Sequence, residues 1–177
     1  MRIHRILLML SVFVLFSCQE KSLQKYLVEK QDDRNFLKAD IAPGMLEGFK
    51  ANLSPDEQET LNSIKKINVI AYKIHDGNIE EYQQEKETLE SILSQDKYND
   101  LTRIRSNEWS VNFLYTGTET AIEEVIIYAS DDNNGFVLGR LHGNKMKPDQ
   151  LLTLVQASNK GNIDTSFMEE MMRFFAK

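Results

Sequence analysis

Few side chains in these 177 residues have the types and spacings that chemistry needs. The only cysteine, Cys18, offers a thiol, which can act as a nucleophile or take a covalent modification. The histidines are His4, His75 and His142. His4 lies in the N-terminal leader, and the other two have no second histidine at ligand spacing, whereas a zinc centre needs three or four converging ligands. Asp131-Asp132-Asn133-Asn134-Gly135 has the composition of a calcium loop. An EF-hand wants glycine at its sixth position and glutamate at its twelfth, but here the fifth is already Gly135 and the twelfth is His142. Asn134-Gly135 between two strand patterns instead predicts a type I′ hairpin, in which both residues take positive φ. Glu123 and Glu124 are neighbours on a strand pattern and so point to opposite faces, which prevents them from acting as a carboxylate pair. Arg103 and Arg105 share one strand face and could bind an anionic group. The plainer reading is a solvated edge, or a pair that meets acids on the neighbouring strand. Neither a Gly-x-Ser-x-Gly elbow nor a phosphate-cradling glycine loop occurs. The expectation is a chain with no catalytic residue, no metal and no cofactor, and no enzymatic activity.

Cys18 has a more specific setting. Arg2 and Arg5 precede Ile6 to Phe16, an uncharged and almost wholly apolar stretch. The stretch is too short to cross a hydrocarbon core of about 30 Å, which needs roughly 20 helical residues. It fits the apolar region of a secretory signal. The run ends in Leu15-Phe16-Ser17-Cys18, which resembles the bacterial lipobox: leucine three places before the cysteine and a small residue directly before it. Phe16 is bulkier than the usual occupant of the middle position. A lipobox implies that the Cys18 thiol takes a diacylglyceryl group through a thioether. The preceding peptide is then cut, and the new amino terminus can be acylated. One acyl chain binds a membrane marginally, while two or three anchor stably. The alternative is an ordinary secretory signal that leaves a free cysteine. Gln19, rather than aspartate, follows the cysteine, which leans toward outer-membrane sorting. Gln19-Glu20-Lys21 is too weakly acidic for a surface-export tag, which favours the periplasmic face.

The formal charge of the whole chain is −6. Loss of Arg2 and Arg5 with the leader leaves 19 basic against 27 acidic side chains, a balance of −8. An acidic domain without a basic stripe is a poor partner for nucleic acid. It also has no polybasic attraction to anionic headgroups, so lipid on Cys18 would be the membrane anchor. With one cysteine there is no intramolecular disulfide, and stability must come from packing.

Along the chain, residues 22–31 predict a first helix, with Leu23, Tyr26 and Leu27 at helical spacing. Phe36 to Ala42 alternates, with Leu37, Ala39 and Ile41 on one side, as in a half-buried strand. Pro43-Gly44 ends it, and Met45, Leu46 and Phe49 suggest a helical turn or two. Ser54-Pro55-Asp56-Glu57 combines a capping box with proline at the first helical position, the clearest start signal present. Leu61 and Ile64 face inward from that helix. Ile67 to Ile74 is a β-branched central strand. Asn78 to Gln95 is the longest helix, with Ile79, Tyr82, Leu89 and Leu93 inward and Ile92 beside them. Its acids, Glu80, Glu81, Glu85, Glu87 and Glu90, form a solvated face. The helix joins two strands and can lie on the sheet as a crossover. From Asn99 to Gly143 the period becomes two, and strands at Leu101–Ser106, Trp109–Tyr115, Ile122–Ser130 and Phe136–His142 form an antiparallel meander. Lys147-Pro148-Asp149 opens a helix with Leu151, Leu152, Leu154 and Val155. After a small polar linker, Ser166 caps a terminal helix crowded with Phe167, Met168, Met171, Met172, Phe174 and Phe175. That stripe either closes the domain's own core or forms an adaptable surface for an envelope protein partner.

Three of these segments carry a resemblance. They are the lipobox, the strand Ile67-Asn68-Val69-Ile70-Ala71-Tyr72, and the meander. The meander contains Tyr98-Asn99-Asp100-Leu101, Trp109-Ser110-Val111-Asn112-Phe113, Glu124-Val125-Ile126-Ile127-Tyr128 and Gly139-Arg140-Leu141-His142-Gly143. The sequence is similar to domain-of-unknown-function family 4252, small secreted lipoproteins of Bacteroidota. The resemblance covers most of residues 22–157 and implies no catalytic or binding residue. It implies at most an envelope-signalling setting. The expected organisation is a signal peptide over 1–17, a lipidated tether over 18–21, an α+β domain over 22–157, and a linker with an amphipathic helix over 158–177. The fold expected is a single α+β domain, a largely antiparallel sheet of about five to six strands packed by helices on one face. The expected role is a lipid-anchored, non-enzymatic binding or structural module. The alternatives are a regulator or sensor tied to an envelope sigma factor, or an enzyme whose site is invisible in sequence.

Overall fold

A computed structural model describes residues 21–147 apart from 43, 45–52, 76 and 108. Cys18 and the Phe/Met stripe at 167–175 therefore lie outside the described residues, as do Met45, Leu46, Phe49 and the predicted helix with Leu151–Val155.

Each described helix starts where its sequence offers a cap or a first-turn charge. Helix α1 (Leu23–Glu29) is capped by Ser22, whose hydroxyl accepts the Lys25 N–H at 3.2 Å. Helix α2 (Pro55–Ser63) has the expected reciprocal box: the Glu57 carboxylate accepts the Ser54 N–H at 2.7 Å, and the Ser54 hydroxyl accepts the Glu57 N–H at 3.4 Å. Helix α3 (Ile79–Leu93) begins without a side-chain cap but carries Glu80 and Glu81 in its first turn, where carboxylates favour the helix dipole.

Six strands form one antiparallel sheet in the order β1-β2-β6-β5-β4-β3. Their bounds are β1 (Phe36–Ile41), β2 (Ile64–Lys73), β3 (Asn99–Arg105), β4 (Trp109–Thr118), β5 (Ala121–Asp131) and β6 (Gly135–Met146). The last four form the predicted meander, and β2 enters between β1 and β6. Helix α3 is the crossover, carrying the chain from β2 to the far edge at β3. The fold is thus the expected single-domain α+β class.

Side chains alternate across the sheet, so register decides what each face holds. One face carries Phe36, Ile70, Tyr72, Leu114, Ile126, Tyr128, Phe136 and Leu138, packed under Leu23 and Tyr26 of α1 and Tyr82, Leu89 and Ile92 of α3. Its centre is aromatic. Phe136 stacks on Tyr72 at 5.7 Å between ring centroids and on Tyr82 at 6.1 Å, and Phe36 meets Tyr72 edge-on at 4.9 Å. Each such pair contributes about 0.5–1.5 kcal/mol beyond its buried area. The opposite face is covered at one end by α2. There Leu53 and Leu61 cluster with Ile64, Ile122, Val125 and Met146, and Ile41, Ile67, Tyr115, Ile127 and Leu141 pack partly buried around them. Helix α2 therefore adds cover to the second face, because the strands alternate apolar residues to that side as well.

Three local expectations are corrected. Ile79 is exposed rather than inward, because the buried stripe of α3 begins one turn later at Tyr82. Ile64 belongs to β2 and not to the preceding helix, which its C-cap geometry ends at that residue. The β5–β6 hairpin is not a two-residue type I′ turn. Its loop is Asp132-Asn133-Asn134, with Asp131 paired to Gly135, and only Gly135 takes positive φ. The Asp131 carboxylate accepts the N–H groups of Asn133 at 2.8 Å and Asn134 at 2.9 Å and so holds the longer loop closed. Burial raises the Asp131 pKa, but these hydrogen bonds outweigh it and leave the group below its ordinary value.

Candidate functional site

Two polar regions interrupt the apolar face, and both are built by strand register. The first follows from β6. Phe136, Leu138 and Arg140 sit at alternate positions, so the pleat that buries the first two also turns Arg140 inward. Arg140 is only 8% exposed. Its guanidinium donates to Gln24 of α1 and to Glu124 of β5, and its Nε has no partner among the described residues. His142 lies beside the same carboxylate, its Nδ1 3.5 Å from Glu124 Oε1. Tyr98 stands nearby, its pKa pushed up to about 12 by burial and then by the Glu124 carboxylate. A cleft of about 520 Å³ opens over Arg140, Glu124 and Tyr98. Arg140 and Glu124 thus neutralise one another in a setting where either alone would be a costly buried charge.

The second region lies at the C-terminal end of α3, where β3 and the adjoining part of β4 extend past the helices. Two rows run across the sheet there. Arg103 of β3 is paired in register with Asn112 of β4, and Asn112 with Tyr128 of β5. One step along, Arg105 faces Ser110, and Ser110 faces Ser130, their hydroxyls 3.1 Å apart. Glu90 and Leu93 of α3, with its C-cap Ser94, make the wall of a cleft of about 440 Å³ whose floor includes Asn112 and Tyr128. Arg103 and Arg105 therefore share a face, as expected, and stand exposed on the edge strand β3, as the solvated-edge reading has it. Their cross-strand neighbours are neutral polar residues and not the acids of the plainer reading. Arg103 has one weak partner, Asp100 at 3.5 Å on its own strand, and Arg105 has none among the described residues. Below them, Asn112 Oδ1 is buried without a hydrogen-bond partner among the described residues, and Tyr128 Oη, on a residue only 1% exposed, has the Ser130 hydroxyl beside it but no bond of full hydrogen-bond geometry. Burial, with the Glu90 carboxylate adding to it, raises the Tyr128 pKa far above its ordinary value. The Ser130 hydroxyl, already engaged with Ser110, opposes that rise without reversing it, so the phenol keeps its proton at physiological pH.

Charged groups elsewhere brace the helices. Lys30, the C-cap of α1, bonds Glu85 of α3 and lies 5.1 Å from the Phe36 ring centroid, and Tyr26 Oη donates to Glu85 at 2.8 Å. Lys86 of α3 pairs with Asp132 of the hairpin loop at 2.7 Å. Glu85, expected on a solvated face, is thus the tie between two helices. His75 donates its backbone N–H to Asn78 at 2.9 Å, just before α3. Among the described residues no three His, Cys, Asp or Glu side chains converge as a metal site, and no helix is long and apolar enough to cross a membrane. Sequence reasoning overlooked Arg140, Glu124, Asn112 and Tyr128. The period-two pattern of β6, which buries Phe136 and Leu138, carried the signal for Arg140 as well.

No curated protein and no solved structure matches the chain. A family model described as a domain of unknown function (DUF4252) matches residues 26–154. The match spans every described strand and both arginine-bearing regions, and the chain belongs to that family.

Proposed function

We propose that this chain is a lipid-anchored, non-enzymatic binding module of the cell envelope, tethered through Cys18 and sorted to the periplasmic face of the outer membrane. One observation carries the anchoring: the only cysteine closes an apolar run that follows two arginines and ends Leu15-Phe16-Ser17-Cys18. A diacylglyceryl thioether there, with acylation of the new amino terminus, supplies the two or more chains that stable anchoring needs. The binding role draws support from the α3–β3–β4 cleft, where an arginine with no partner among the described residues stands over buried polar atoms without a well-formed bond among them. Such atoms cost about 1–3 kcal/mol each when left unsatisfied, and a ligand that meets them recovers that cost.

Intact-mass analysis of the protein purified from membranes tests the anchor. The expected result is a chain that begins at Cys18 and carries diacylglyceryl and acyl mass. A chain that retains residues 1–17, or one that begins near Cys18 with a free thiol and fractionates as soluble, overturns it.

A further inference from the structure

The geometry points to a ligand class for the cleft between α3 and the β3–β4 edge: a small hydroxylated carboxylate of the sugar-acid type, its carboxylate on Arg105 and its hydroxyls over Asn112, Tyr128 and the Ser110–Ser130 pair. This inference rests on the reading of the chain as a binding module and names what that module holds.

Three features of the cleft select this chemistry. Arg105 presents a planar fork of donors that matches a carboxylate in two parallel bonds, and no described carboxylate occupies it. The floor is polar but largely uncharged. Asn112 Oδ1 can only accept, Tyr128 Oη can donate or accept, and the serine hydroxyls can do both. Hydroxyl groups are the natural complement to such a mixture, because each can reverse its role to suit. The walls supply the third feature. Glu90 of α3 and Asp100 of β3 place two carboxylates around the same space, with Arg103 already shared by Asp100. A dianionic phosphate would meet that negative charge at close range with one free guanidinium to offset it. A monoanion with hydroxyl donors instead uses Glu90 as an acceptor. The size is also suitable, since about 440 Å³ holds a monosaccharide-sized molecule.

The inference also accounts for the unpaired state of the floor. Buried polar atoms in folded proteins almost always have partners. Here Asn112 Oδ1 and Tyr128 Oη, neither with a well-formed bond among the described residues, fall in one cross-strand row, next to the two arginines that project from the open edge. Such a row is costly to the free protein and useful to one that binds.

The test is isothermal titration of the full chain, purified from membranes in detergent micelles, with D-glucuronate, D-glucose and inorganic phosphate as probes. The expected result is saturable glucuronate binding, with glucose and phosphate each at least about tenfold weaker. In Arg105→Gln, whose side chain is exposed and unpaired, glucuronate binding should fall by about tenfold or more, the loss of one charge-assisted bidentate contact. Tyr128→Phe should weaken it several-fold. Absence of saturable glucuronate binding, equal binding by wild type and Arg105→Gln, or tighter binding of phosphate than of glucuronate would overturn the proposal. The intact mass of the same sample reports the anchor separately, so a failed titration on a lipidated chain removes this ligand class and leaves the anchored-module reading in place.

Discussion

Arg140 and Arg105 carry the same guanidinium on the same face of the same sheet, yet they live under different rules. Arg140 is in a central strand, under α1, with Glu124 and Gln24 bonded to it. Arg105 is on the edge strand β3, beyond the cover of α3, with no ion-pair partner among the described residues. The first is a structural charge, retained because its removal would strand another charge. The second is a charge that the fold can spare. The comparison teaches that residue type alone does not mark a site. What separates the two arginines is whether their neighbours are already satisfied.

The largest effect should come from breaking the satisfied pair. Arg140→Leu leaves the Glu124 carboxylate, about 16% exposed, without its main counter-charge. The expected cost is about 3–5 kcal/mol in equilibrium urea unfolding. The double variant Arg140→Leu/Glu124→Leu should recover most of that loss, because it removes the stranded charge too. A double variant no more stable than the single one would show that Arg140 acts through packing alone.

Alkaline titration should give the next largest effect. Tyr98, beside the Arg140 pair, and Tyr82, on the buried face of α3, have their pKa values pushed up to about 12 from an ordinary 10, chiefly by burial. The unfolded chain loses these protons first, so the folded form binds more protons between pH 10 and 12. Their contribution is full below about pH 10 and declines as pH rises from there towards about 12. Unfolding midpoints should therefore drop steeply above about pH 10, with phenolate absorbance rising together with the loss of fold. Absorbance that rises near pH 10 while the fold persists would contradict the burial of these rings.

Two tyrosine substitutions sharpen the contrast between satisfied and unsatisfied groups. Tyr26→Phe removes a hydroxyl bonded to Glu85 and should cost about 1–2 kcal/mol. Tyr128→Phe removes a buried hydroxyl with no well-formed bond among the described residues and should cost little or nothing, or gain up to about 1 kcal/mol. The smallest effect belongs to Arg105→Gln, which should shift stability by less than about 0.5 kcal/mol.

The parts of this fold that are local were open to sequence reasoning. The Ser54–Glu57 box, the α3 stripe through Tyr82, Leu89 and Leu93, and the alternation of the meander each involve residues within a few positions of one another. Strand β1 shows where that reasoning stops. Leu37, Ala39 and Ile41 alternate as predicted, but they take the half-buried face, and Phe36, outside that alternation, enters the aromatic core. Both faces of β1 carry apolar residues, and only the placement of α1 and α3 decides which becomes deepest. The candidate site was half legible for the same reason. Arg103 and Arg105 announce themselves by spacing on one strand. Their neighbours Asn112 and Tyr128 come from β4 and β5, and register that spans three strands is set by tertiary packing, which no local pattern encodes.

The central claim is that Arg105 stands unpaired because a ligand carboxylate completes it. The most direct measurement is the urea midpoint of the full chain with and without D-glucuronate at about ten times its dissociation constant, for wild type and Arg105→Gln. Binding to the folded state alone should stabilise wild type by about 1.4 kcal/mol and Arg105→Gln by about 0.4 kcal/mol or less. An equal rise in both proteins, or no rise in wild type up to the solubility of the probe, would contradict the account.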